Sequence, residues 1–176
     1  GAIAQSFGDL TVGASSHGSC SNHVRAVGAG GQVAPNGSSQ NVIDYFTIST
    51  FGNATDFGDL TVARASHDAL ASPTRGIYAG GFVGPNTFKN EIDYITIAST
   101  GNAADFGDLD TNKRYLGSGS NQTKGLFAGG QVPGNTSVMA HITIATTGNA
   151  VDFGDLTASK QAQAVSNQVH MFAGGG

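Results

Sequence analysis

Few side chains in this 176-residue chain could do chemistry: eleven Asp, the single Glu91, eight Lys and Arg, five His and the lone Cys20. Carboxylates recur as the pairs Asp56/Asp59, Asp105/Asp108 and Asp152/Asp155, each flanking Phe-Gly. Such oxygens suit calcium, but that ion takes roughly 6–8 ligands and one pair supplies too few, so each Asp is expected to hold backbone amides in a turn. His17, His23, His67, His141 and His170 lack the paired spacing of a metal site; His17 and His67 share one repeat position and could line a common channel, but the favoured expectation is a surface or hydrogen-bonded histidine. Cys20 alone completes neither a disulfide nor a multi-cysteine zinc site. The Gly-rich segments lack the Lys-Ser/Thr ending of a phosphate loop. No nucleophile–base constellation stands out. The sequence therefore reads as non-enzymatic, with no catalytic residue, metal or cofactor.

Binding is the better prospect. A unit of the form Ser-Asn/Pro-x-x-basic precedes each glycine-rich strand and places Arg25, Arg75, Lys124 and His170 at one recurring position. These cations could ring one rim and hold an anion, but the favoured expectation is that each neutralises an Asp between repeats. Connections that differ between repeats are the stronger candidates, because loops carry function while a scaffold stays constant. They run over 32–40, 82–89 and 131–138 and offer Asn36, Ser38, Asn86, Phe88, Lys89 and Asn135. Amides and hydroxyls beside one aromatic suit sugar hydroxyls with a stacking surface.

Composition narrows the partners further. A net charge of −4, a pI near 5.6 and only 8 Lys plus Arg give no basic footprint for nucleic acid. No apolar run approaches the ~20 residues of a membrane-spanning helix. Glycine is abundant at 27 residues and charged residues make up only 11%; with Asp in place of Glu, turns are favoured over long helices.

The elements that must position these groups come from a repeat. Phe-Gly-Asp-Leu begins at Phe7, Phe57, Phe106 and Phe153, a period of about 49 residues. Ala-Gly-Gly follows at Ala29, Ala79, Ala128 and Ala173, and Ile43-Asp44-Tyr45 and Ile92-Asp93-Tyr94 lie between, with a weaker third copy at His141–Ile144. Arg75–Gly81 reads as a short apolar strand stopped by glycine, and Ile92–Ile97 as a strand of β-branched and aromatic residues. A further strand is expected around Asp105–Leu109, and the small-residue stretch Ala63–Ala71 is read as a tightly packed inner strand. The pairs Gly52-Asn53, Gly101-Asn102 and Gly148-Asn149 suggest two-residue hairpin turns. Four short antiparallel strands per repeat is the size of a propeller blade. The predicted fold is an all-β propeller over 1–176, with repeats at 11–60, 61–109 and 110–156 and partial blades at 1–10 and 157–176.

The order aromatic-Ala-Gly-Gly, Asn-x-Ile-Asp-Tyr, then Phe before Leu resembles the kelch repeat. On that resemblance Phe57, Phe106 and Phe153 stand where kelch blades carry Trp, and Arg64 matches the Arg that opens the next blade, with Ala14, Lys113 and Lys160 as its counterparts. The wording Ile-Asp-Tyr-Ile-Thr-Ile…Thr-Gly-Asn-Ala…Asp-Phe-Gly-Asp-Leu is also similar to repeats in virion structural proteins of tailed phages, notably those of marine cyanobacteria. The likeness implies a structural and adhesive module of an extracellular or virion-associated particle, a phage tail or appendage, binding a glycan or a neighbouring subunit. The alternative is a propeller enzyme whose ligands lie outside this chain. Three and a half blades is an awkward count, and it has three solutions: a piece of a longer protein, a reduced ring, or a homo-oligomer sharing one ring. The first is expected, since residue 1 is Gly with no initiating Met before it.

Overall fold

The computed structural model describes residues 3–84, 86–167 and 169–175. Among them every regular element is a strand, and every ladder is antiparallel. The first repeat contributes β1 (Gly18–Ser21), β2 (Arg25–Ala29), the small hairpin β3 (Gln32–Val33) and β4 (Ser38–Ser39), then β5 (Val42–Thr47) and β6 (Thr55–Asp59). The second repeats this as β7 (Asp68–Ala71), β8 (Arg75–Ala79), β9 (Phe82–Val83), β10 (Thr87–Phe88), β11 (Glu91–Thr96) and β12 (Ala104–Asp108). The third gives β13 (Gly117–Ser120), β14 (Lys124–Ala128), β15 (Gln131–Val132), β16 (Gly134–Asn135), β17 (Val138–Thr143) and β18 (Val151–Asp155). A final hairpin joins β19 (Gln163–Ser166) to β20 (Met171–Gly174).

Each full repeat is thus a four-stranded sheet, ordered β1-β2-β5-β6, β7-β8-β11-β12 and β13-β14-β17-β18, with a two-stranded hairpin inserted after the second strand. The stretch expected as one inner strand from Ala63 is shorter: β7 starts at Asp68, because Arg64 is drawn into the interior and Ser66 takes a left-handed φ of 53°. The double glycine ends the second strand as the sequence suggests. Gly80 and Gly81 have φ of 69° and 103°, and a Cβ on Gly80 would stand 2.6 Å from the carbonyl oxygen of Lys113.

The sheets stack face to face. Val27, Ile43, Phe57 and Leu60 of the first repeat meet Tyr78, Ile95 and Ile97 of the second. The other face of the second sheet carries Leu70, Ile77, Ile92 and Phe106 against Phe127, Ile142 and Ile144 of the third. The middle sheet is therefore covered on both sides, which is why β11 buries neighbours in sequence and not only alternate residues. The first strands of the repeats, β1, β7, β13 and β19, contact one another in that order.

The β6 edge of the first sheet and the β12 edge of the second are closed by the following repeat. Gly101 N–H donates to the Phe57 carbonyl at 2.7 Å, Ala103 N–H to Asp59 O at 2.8 Å, and Asp59 N–H to Asn102 Oδ1 at 3.1 Å. The same three bonds join Gly148-Asn149-Ala150 to Phe106 and Asp108, and Gly52-Asn53-Ala54 to Phe7 and Asp9. The Gly-Asn pairs are therefore edge clamps and not the hairpin turns expected; the chain reverses earlier, where Thr50 N–H donates to Thr47 O. A Cβ on Gly58 or Gly107 would sit 2.5 Å from the clamping backbone, so the glycine of Phe-Gly-Asp-Leu is required by contact between main chains.

This packing sets the cost of equivalent phenylalanines apart. Phe106 is 2% exposed under the next clamp, whereas Phe153 is 60% exposed and nothing lies over Gly154. Phe106→Ala is expected to cost about 3–5 kcal/mol and Phe153→Ala under about 1 kcal/mol, read from urea midpoints.

Candidate functional site

The hairpins following the double glycines project from the sheets, and those of the second and third repeats flank an open groove of about 680 Å³. Asn86 and Phe88 come from the first of these, Gln131 and Val132 from the second, and Asn112 and Arg114 from the loop between. Arg114 dominates the electrostatics. Its Cζ lies 4.9 Å from the Phe82 ring centroid, 4.8 Å from Phe88 and 4.8 Å from Tyr115. Its Nε–H donates to Gln131 Oε1 at 2.9 Å, while the two residues exchange backbone hydrogen bonds. Three rings and one fixed hydrogen bond hold the guanidinium in place.

A second feature lies just before β1, β7 and β13, the first strand of each sheet. Ser16, Ser66 and Tyr115 adopt left-handed φ of 57°, 53° and 54° at one repeat position. Ser66 N–H donates to Ser16 O, Tyr115 N–H to Ser66 O, and Ala162 N–H to Tyr115 O, at 2.8, 3.0 and 3.1 Å. Left-handed backbone costs a non-glycine residue about 1–2 kcal/mol through its Cβ, so all three positions carry strain, Tyr115 with the bulkiest side chain. A cavity of about 750 Å³ opens beside this seam, lined among others by His17, His67, Asp68 and Gln163. His17 is exposed, while His67 is 5% exposed and its Nε2 accepts the Gly18 N–H at 3.2 Å. Burial, then the charges of Arg64 and His17, hold His67 well below the ordinary 6.5. His67 therefore works as a neutral acceptor that ties the first repeat to the second.

At the opposite end the four β-turns meet around a cleft of about 290 Å³ lined by Ser21, Asn22, Ser72, Asn121 and Asn167, among others. The recurring Ser-Asn unit is explained here: Asn22 Oδ1 accepts the amides of Val24 and Arg25, and Asn121 Oδ1 those of Thr123 and Lys124. Gln168 of the fourth turn and Pro85 of the second hairpin lie outside the described residues.

The candidates named from sequence scatter over three places. Asn86 and Phe88 enter the groove, with Phe88 half-buried; Lys89, next to them, pairs with Glu91 at 2.9 Å. Asn135 is exposed on β16, and Asn36 and Ser38 are exposed on the first repeat's hairpin, away from that groove. Among the described residues Arg25 and Arg75 pair with no Asp, contrary to the expectation. Each stacks on the tyrosine of its own third strand, Tyr45 at 4.4 Å and Tyr94 at 4.6 Å, and donates to a main-chain carbonyl of the following repeat, Ile97 or Ile144, at 2.8 Å. Lys124 Nζ is exposed and donates to Thr143 Oγ1. The Asp of each Asp-Phe-Gly does accept a local amide, Gly58 N–H to Asp56 and Gly107 N–H to Asp105. Among the described residues no three His, Cys, Asp or Glu converge as a metal site would require. Cys20 rests against the Tyr78 hydroxyl at 3.5 Å, and desolvation pushes its thiol up to about 11, leaving it protonated at neutral pH. Arg114 and Tyr115 escaped the sequence reading; the signal was there in Ser15-Ser16 and Ala65-Ser66, the small pairs they replace.

No protein-family model matches the chain, and no curated protein matches it either.

The depressed His67 makes a pH test. A histidine held below its unfolded value stabilises the fold fully above about 6.5, and this contribution is lost as pH falls below it. Asp68, raised chiefly by burial, acts in the opposite sense, so the informative quantity is the difference between variant and parent. Between neutral pH and about pH 5, His67→Gln, which keeps an amide acceptor but does not titrate, is expected to lose less stability than the parent in denaturant titrations.

Proposed function

We propose that these repeats are blades of a kelch-like β-propeller serving as a non-enzymatic structural and adhesion module of an extracellular particle, such as a phage tail or virion appendage. The radial arrangement is supported by the four inner turns. Turns of the first and the fourth repeat line one cleft, which a straight stack of sheets would keep apart. The virion assignment rests on the wording of the repeats. Adhesion is carried by one observation, the groove in which an aromatic face, two asparagines and a fixed guanidinium converge from loops that vary between repeats.

The ligand class is a glycan. Asn86 and Asn112 supply amide donors and acceptors for sugar hydroxyls, and Phe88 supplies an apolar face for a pyranose ring. On a glycan array the protein is expected to retain a subset of saccharides. Phe88→Ala should weaken that retention about tenfold without lowering thermal stability by more than a few degrees, since Phe88 sits on a hairpin outside both cores. Retention of no saccharide by the parent protein would overturn the reading.

A neighbouring subunit is a second partner, favoured by the apolar side chains Phe153, Val165 and Phe172, which are 60%, 70% and 65% exposed. Phe153 occupies the position that a following repeat covers in Phe57 and Phe106, so the surface fits a further repeat of this design. Sedimentation should show concentration-dependent association that Phe153→Asp removes; a monomer at every concentration would argue against it.

A further inference from the structure

We propose that the groove selects acidic saccharides, with Arg114 gripping a carboxylate or sulfate on the sugar; this rests on the glycan reading above. Arg114 is the one arginine whose guanidinium end is uncommitted among the described residues. Arg64 is fully buried against Asp93 at 3.1 Å, and Arg25 and Arg75 spend their Nη1 donors on carbonyls. Arg114 engages the protein through Nε alone, which leaves both terminal nitrogens, the fork that matches an oxyanion, without a protein partner.

Neighbouring charges do not quench it. Among the described residues no carboxylate lines the groove. Asp110, four residues earlier, takes Lys113 Nζ at 2.6 Å on one oxygen and the Thr111 hydroxyl at 3.3 Å on the other, and Glu91 is held by Lys89. An unneutralised cation thus faces open space in a chain whose net charge is −4.

Folding does not need it there. The same loop position is Ser15 in the first repeat and Ala65 in the second, and both make the bridge to the following hairpin that Arg114 makes to Gln131. The clasp is local as well: β9 and β10 set Phe82 opposite Phe88, where the first hairpin sets Gln32 opposite Ser39. Among the described residues, an arginine clasped by rings at this loop position occurs only at this junction, as expected of a ligand contact and not of a scaffold element. Because the rings and Gln131 pre-order the side chain, little of its rotamer freedom remains to be lost on binding.

Titration calorimetry of the whole chain with three oligosaccharides of equal length, one bearing uronate carboxylates, one sulfate esters and one neutral, tests this. At least one acidic ligand should bind about tenfold or more tightly than the neutral one, with an advantage that shrinks as salt is raised. The tighter of the two identifies the oxyanion. Arg114→Gln should reduce that ligand to the neutral affinity, and Lys124→Gln, which removes the same charge elsewhere, should change nothing. Equal affinities for acidic and neutral ligands, or an acid preference that survives Arg114→Gln, would overturn the proposal and leave glycan binding standing. Failure of all three to bind would instead remove the glycan reading itself.

Discussion

The structure depends on closing sheet edges. A four-stranded sheet leaves a row of main-chain groups on its outermost strand, and water or another chain must meet them. Here the next repeat meets them: Gly101-Asn102-Ala103 and Gly148-Asn149-Ala150 lie along Phe57–Asp59 and Phe106–Asp108. The contact is main chain to main chain, so it tolerates no Cβ at Gly58 or Gly107. Two glycines per repeat, one giving and one receiving, follow from this single requirement. So does the placement of Phe57 and Phe106, which the same contact seals.

A second constraint acts between loop and sheet. In all three sheets the ladder shifts register at the same place, after Ile43, Ile92 or Met139. The bulge re-aims the next residue. Asp44 and Asp93 thereby reach Thr11 and Thr61 in the preceding loop, each accepting both hydroxyl and amide. Asp93 also neutralises the buried Arg64. The third repeat has Ala140 at the bulge and Asp110 in place of the threonine, and Asp110 now pairs with Lys113, the counterpart of Arg64. The charge has moved from strand to loop while the buried cation stays balanced. An uncompensated cation there would cost several kcal/mol, so the two changes are physically coupled.

Much of this was legible beforehand. The period, the antiparallel strands and the double-glycine stops follow from residue types alone, because positive φ and period-two burial leave direct marks. Less legible was whatever depends on a neighbour. Gly52-Asn53 has the composition of a hairpin turn, and only the adjacent sheet shows that it is a clamp. Arg25 and Arg75 look like partners for Asp, yet a tyrosine face and a carbonyl satisfy them, a pairing that spacing cannot reveal. Within the candidate site, Asn86 and Phe88 were visible because their loop varies. Arg114 and Tyr115 were hidden because they lie outside the connections after the double glycines, in the loop that leads into the first strand of the sheet, where the first two repeats carry only small residues at these positions.

That position explains how one junction can acquire a ligand without disturbing the others. Paired main-chain hydrogen bonds make the loop bridge at Ser15, Ala65 and Arg114 alike, so the side chain there can change while the bridge is kept. The hairpins likewise lie outside both core clusters; Phe82 is buried at 5%, and Phe88 opposite it is only half-buried. Edge clamps, bulges and buried cations fix the sheets, and the groove is assembled from what those constraints leave unspecified. Binding chemistry can therefore differ from junction to junction on an unchanged frame. The left-handed φ shared by Ser16, Ser66 and Tyr115 belongs to that frame, since it is kept at all three junctions whatever side chain stands there.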